Sequence, residues 1–170
     1  MSSYDPLTAL QPIQEPSMEL AKRKTETYIL TALHKLDPVT VYVTNYELGK
    51  GKIVIECFGD AWAFYWGAMG PNTLQEFFIG ADNSYLLGKF LSETEQTDFD
   101  EINEIAHKRG FEDLCVSNEV ELAMAANDMA ECFGEDWYMD LPRRSTDEYQ
   151  YLSRIVNAIK GAFSNELATA

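Results

Sequence analysis

Between Val39 and Gly67 the larger apolar residues return at every second position, in three short runs: VTVYVTNY, KIVIECF and AWAFYW. A period of two sends successive side chains to opposite faces of an extended chain, which no helix reproduces. The connections between the runs are too short for anything but hairpins. ELG fits a three-residue hairpin turn with Gly49 in the left-handed conformation, and Gly59–Asp60 fits a two-residue primed turn. A three-stranded antiparallel meander follows. Helical periodicity resumes beyond it, so the expected fold is α+β, the meander packed against several helices.

The turns also fix an expected register. The first pairs Val43 with Ile53 and Val41 with Ile55; the second pairs Phe58 with Ala61, and so Cys57 with Trp62, Ile55 with Phe64 and Ile53 with Trp66. One face then carries Val39, Val41, Val43, Ile53, Ile55, Cys57, Trp62, Phe64 and Trp66. A face this apolar needs a cover, and its aromatics offer helices a large area to pack against. Tyr42, Thr44, Val54, Glu56, Phe58, Ala61, Ala63 and Tyr65 fall on the reverse, more polar face.

Around the meander, residues 1–16 contain Pro6, Pro12 and Pro16 and read as an irregular arm. A single domain is expected over 17–165, with a frayed tail at 166–170. Ala21, Thr25, Tyr28, Ile29, Ala32, Leu33 and Leu36 stand at helical spacing and predict a first helix, stopped at Asp37–Pro38, with Lys22, Arg23 and Lys24 on its wet face. Thr73 with Glu76 predicts a capping box for a short helix ending near Gly80, and Asp82 or Asn83 caps the next. Asp98 with Glu101 opens another, closed at Lys108–Arg109–Gly110. A helix from Asn118 buries Leu122, Ala125, Ala126, Met129 and Phe133. Ser145 with Glu148 starts the last, whose inner line is Tyr149, Leu152, Val156, Ile159 and Phe163.

Charge is distributed unevenly over this framework. The 170 residues carry a formal net charge of -15, and the interval 92–148 holds 17 Asp and Glu against four Lys and Arg, an excess of 13. Such a balance opposes direct binding to nucleic acid or to an anionic membrane, because no basic surface stands out that would neutralise several phosphates. With no apolar run long enough to span a bilayer and no basic segment leading an apolar one, a soluble cytoplasmic protein is expected.

Catalytic chemistry finds little support in the pattern. Cys57, Cys115 and Cys132 form no close pair, and neither His34 nor His107 has a Cys or His neighbour at zinc-site spacing. Asp98, Asp100, Glu101 and Glu104 would spread over more than one helix face rather than converge on a hard cation. ELGKGK lacks the spacing of a phosphate-binding loop. Neither a catalytic residue nor a cofactor is expected. The tryptophans lie on the apolar face, which assigns them to packing rather than to stacking on bases.

WGAMG, TLQEFF and YLLGKF at 66–70, 73–78 and 85–90 resemble segments of small acidic accessory proteins of bacteriophages and prophages. The resemblance covers the central quarter of the chain. It implies action inside a bacterial host, as an inhibitor or adaptor that modifies a host process.

Carboxylates fixed on helices can imitate the electrostatic outline of a nucleic-acid backbone. The expected function is therefore a non-enzymatic inhibitor or adaptor that binds a basic host protein, or a nucleic-acid-binding protein complex, in competition with nucleic acid. Its surface would be drawn from Asp98, Asp100, Glu101, Glu104, Glu112, Asp113, Glu119, Glu121, Asp128, Glu131, Glu135 and Asp136. Two alternatives stay open: a small hydrolase, metal-dependent or using a cysteine, and a structural homodimer that joins through an uncovered part of the meander.

Overall fold

The computed structural model describes residues 20–169, so the arm expected over 1–16 lies outside the described residues. Four strands, β1 (Glu26–Leu30), β2 (Val39–Glu47), β3 (Lys50–Cys57) and β4 (Asp60–Trp66), form one antiparallel sheet in chain order. β2, β3 and β4 are the expected meander. β1 is a correction, because it occupies the middle of the helix expected from Ala21 to Leu36.

Two physical reasons favour the strand. Thr25, Thr27, Tyr28 and Ile29 are β-branched or aromatic, which costs χ1 freedom in a helix and suits a pleated surface. The edge of β2 also offers a partner: Tyr28 pairs with Val41 and Leu30 with Val39, turning both side chains toward the core while Ile29 faces solvent. Ala32 and Lys35 then take positive φ, at 57° and 54°, and reverse the chain into β2.

Between β2 and β3 the expected pairs Val43 with Ile53 and Val41 with Ile55 are present. A register irregularity between Asn45 and Glu47 accompanies the turn, and Gly49 has φ 81°. The second hairpin differs from expectation. Its loop residues are Phe58 and Gly59, both at positive φ, so Cys57 pairs with Asp60, Ile55 with Trp62 and Ile53 with Phe64. Positive φ at both loop positions is what a primed turn requires. The pairing is offset by two residues from that expected, and an even offset leaves every side chain on its expected face. Trp62 and Trp66 are buried on the inner face, Phe64 is half-buried beside them, and Phe58 stands 83 % exposed at the turn.

Three helices, α1 (Leu74–Gly80), α2 (Asn83–Phe90) and α6 (Asp147–Thr169), supply the cover the inner face needs. The Thr73–Glu76 capping box forms in both directions at α1, and Asp82 caps α2 through the Ser84 amide. α6 starts one residue later than expected: Ser145 lies in a strand, and the Thr146 hydroxyl accepts from the Tyr149 amide at 3.1 Å. Its inner face buries Leu152, Ile155, Val156, Ile159 and Phe163, and the helix runs on to Thr169 through the expected tail. Each buried indole finds a partner at the edge of this core, Trp62 donating to Glu148 and Trp66 to the Tyr85 hydroxyl, both at 3.1 Å.

A polar network ties the edge strand down. The buried Gln75 on α1 donates to Glu26 at 2.7 Å and to the Tyr28 hydroxyl at 3.0 Å, and accepts from Asn45 at 3.0 Å. Burial, with Glu26 and Glu166 nearby, pushes the Tyr28 hydroxyl up to about 12, so it stays protonated over any physiological pH.

Between α2 and α6 the chain leaves this core through one strand of a two-stranded ribbon and returns through the other: β5 (Glu95–Thr97) pairs with β6 (Arg143–Ser145). The excursion contains α3 (Phe99–Lys108), α4 (Glu119–Met124), α5 (Ala126–Phe133) and a 3-10 turn at Trp137–Met139. These enclose a second apolar cluster of Ile102, Ala106, Leu114, Val116, Leu122, Met129 and Cys132, which shares no buried residue with the first. The helix expected from Asn118 is thus two, separated at Ala125, and its buried line includes Cys132, while Ala125, Ala126 and Phe133 are half-buried. The antiparallel sheets of four and two strands replace the three strands expected.

Candidate acidic partner-binding surface

All twelve carboxylates singled out from the sequence lie on the excursion between β5 and β6 or at its boundary with β5, around the second apolar cluster. Eleven are exposed; Asp98, the cap of α3, is half-buried. The structure divides them by what their oxygens already do.

Five are engaged. Asp98 accepts from the Glu101 amide at 3.1 Å. Only half of the expected capping box forms there, because the Asp98 amide donates to the Pro142 carbonyl at 2.8 Å and is not free for Glu101. Asp100 pairs with Arg144 at 3.0 Å. Glu104 pairs with Lys108 one turn along, and that ammonium holds the Glu104 carboxyl below the usual carboxylate range. Glu119 accepts from the Thr97 hydroxyl at 2.6 Å, joining α4 to the ribbon. Glu121 accepts from the Ser117 amide and hydroxyl at 2.8 and 2.7 Å, which likewise lowers its carboxyl, while Asn118 caps α4 through the Glu121 amide. These groups hold the helix termini and the ribbon.

The other seven, Glu101, Glu112, Asp113, Asp128, Glu131, Glu135 and Asp136, make no side-chain hydrogen bond or ion pair among the described residues. They stand on α3, on the turn after it, on α5 and on the segment that follows α5. Arg109, itself exposed, donates to the Cys132 carbonyl and lies 5.1 Å from the centre of the Phe133 ring. A cavity of about 420 Å³ opens beside it, lined by Ile105, Phe133 and Trp137 and by Glu135, Asp136 and Asp140.

The cysteines and histidines are dispersed. Cys57 is buried 3.1 Å from the Tyr151 hydroxyl, and that hydrogen bond, with burial, pushes Tyr151 up to about 12. Cys132 is buried in the second cluster, Cys115 is exposed, and both His34 and His107 are exposed. Among the described residues, no three His, Cys, Asp or Glu side chains are grouped to hold a metal ion. No described helix is long and apolar enough to cross a membrane.

A family model described as a phage family, Phage_phiTE_072, matches residues 18–165. The chain belongs to that family. The match takes in the sheet, both apolar clusters and nearly all of α6, well beyond the central quarter on which the sequence resemblance rested. Searches of curated proteins and of solved structures returned no match.

The reverse face of the meander, expected to be the more polar one, exposes Ile29, Phe58 and Tyr65, and no helix among the described residues lies over it. One surface feature escaped the sequence reasoning. On the acidic excursion Val120, Met124, Tyr138 and Met139 are also exposed. For the first two a signal existed: the predicted buried line through Leu122 and Met129 places Val120 and Met124 on the opposite side of the same helical course.

Proposed function

We propose that this phage-family protein is a non-enzymatic inhibitor or adaptor whose acidic excursion binds a basic surface of a host protein in competition with nucleic acid. The observation that carries the proposal is the division of labour among its carboxylates. Generic solubility requires only scattered charge. Here 13 of the 15 excess negative charges fall within residues 92–148, which also hold the second apolar cluster. Seven of the twelve candidate acids have oxygens not committed to caps or ion pairs. A field of one sign raises the encounter rate with a basic partner and discriminates against acidic ones. Occupying a groove that otherwise takes a phosphate backbone would then exclude nucleic acid.

Affinity capture from the host, read by mass spectrometry, identifies the partner; reversing Glu101, Asp128 and Glu131 to lysine tests the surface. These side chains support no cap or ion pair, so the variants should fold. The expected result is slower association and a flatter salt dependence. Folded variants that capture the same partner with unchanged salt dependence would refute the surface.

A second reading is favoured by the outer face of the sheet, which the described residues leave uncovered. Ile29, Phe58 and Tyr65 are exposed there beside the half-buried Tyr42 and Val54, an arrangement suited to a homodimer joined face to face. Light scattering distinguishes it: a mass independent of concentration removes this use.

A further inference from the structure

The cavity beside Arg109 is built by elements that meet only in the folded excursion. Ile105 and Arg109 reach it from α3, Phe133 from the end of α5, and Trp137 from the 3-10 turn. Gly134, at φ 101°, turns the chain out of α5, and the Trp137 amide donates back to the Gly134 carbonyl at 3.1 Å, so both rings line one space. Phe133 and Trp137 are half-buried and packed against the second apolar cluster. Asp136 and Asp140, which flank the 3-10 turn, complete the lining with Glu135. None of these three acids makes a side-chain hydrogen bond or ion pair among the described residues.

Resting on the acidic partner-binding reading, we infer that this cavity receives an arginine side chain of the partner protein. Its volume of about 420 Å³ lies within the range of ligand pockets, roughly 300–1,000 Å³. Three carboxylates against the single guanidinium of Arg109 leave the lining negative, which draws in a cation and rejects an anion. These acids are not grouped to hold a metal ion, since no three His, Cys, Asp or Glu side chains among the described residues are. A cation that spreads its charge over a plane suits such a spacing. Guanidinium presents five donors in a fixed fork, lies against aromatic rings and is more weakly hydrated than an ammonium. Ile105 and the rings offer an apolar wall for the methylene stem. The protein holds a precedent of its own: the Arg109 guanidinium lies 5.1 Å from the centre of the Phe133 ring while donating to the Cys132 carbonyl. With Phe133 engaged in this way, the incoming guanidinium takes the Trp137 side, between the acids that flank its turn. Arginine seated in a pocket and ringed by polar groups is a frequent anchor of protein interfaces.

The test uses the full chain, labelled for NMR, and three capped peptides that differ only in a central residue: arginine, lysine or citrulline, the uncharged isostere of arginine. Flanking lysines keep all three basic. The arginine peptide should shift the Trp137 indole signal and the amides of residues 133–142. It should bind about tenfold more tightly than the citrulline peptide, the margin that one stacked and ion-paired guanidinium allows, with lysine between them. Asp136→Asn with Asp140→Asn should bring the arginine peptide down to the citrulline level. Both positions are exposed, and unshifted signals for Leu122 and Met129 check that the fold persists. Reversing Glu101, Asp128 and Glu131 to lysine, outside the lining, should weaken all three peptides and keep their ranking. Equal binding of the arginine and citrulline peptides, with shifts spread over the acidic helices, would overturn the cavity and leave the acidic surface standing. Binding of no peptide would also overturn it, while partner capture and its salt dependence would still decide the surface. Free arginine binding as tightly as the peptide would assign the cavity to a small molecule and refute the inference.

Discussion

Met129→Ala tests whether the acidic surface rests on its own core. Met129 is fully buried in the second cluster, among Ile102, Ala106 and Leu122. Truncating a buried methionine to alanine costs about 2–5 kcal/mol through lost burial and the cavity left behind. At the usual stability per residue, a segment the size of 98–146 has only about 2–7 kcal/mol to lose. The two magnitudes are comparable, so the substitution should open the excursion locally. The first cluster shares none of its buried residues and should stay closed. Hydrogen exchange reads this directly, since sub-global opening releases amides in groups. Amides of α3 and α5 should lose protection while those of β2 and β3 keep theirs. Partner capture should fall with the former, and Met129→Leu, which nearly conserves volume, should retain both. Loss of protection in β2 and β3 in step with α5 would refute the reasoning, because the two clusters would then form one cooperative core.

Gly49→Ala should destabilise the sheet core by about 2–5 kcal/mol, combining a left-handed residue with the loss of two hydrogen bonds. At φ 81° an added Cβ would lie 2.3 Å from the Gly70 carbonyl oxygen, displacing the loop that bonds Gly49 through Asn72 and Met69. Gly59→Ala, at φ 93° in open space, should show the conformational part alone, and equal urea midpoints for the two would remove the steric account. At α4 the sign of a pH effect follows from Glu121, whose carboxyl is lowered by Ser117. A lowered folded value stabilises above the unfolded pKa and ceases to do so as pH falls through the folded one. Glu121→Gln should therefore be less stable than the wild type at neutral pH, with the difference closing in acid below the usual carboxylate range; a difference constant with pH would contradict it.

The sequence by itself determined the part of the fold in which each residue's side depends only on its neighbours. Alternation assigned Val39, Val41, Val43, Ile53, Ile55, Cys57, Trp62 and Trp66 to one face, and the assignment survived a shifted turn because the offset was even. Capping residues likewise announced α1 and α3, since a cap bonds an amide within the same turn. Tertiary structure decided the rest. Ala21 to Leu36 fits a helical stripe as well as strand propensity, and the open edge of β2 with the Gln75 network selected β1. Phe58 entered the turn because hairpin closure, rather than its own preference, fixed its φ. Most consequential for function, composition located the acids but not their separation into committed and free. That depended on Pro142 reaching the Asp98 amide, on Arg144 reaching Asp100 and on Thr97 reaching Glu119, contacts between residues more than 20 positions apart.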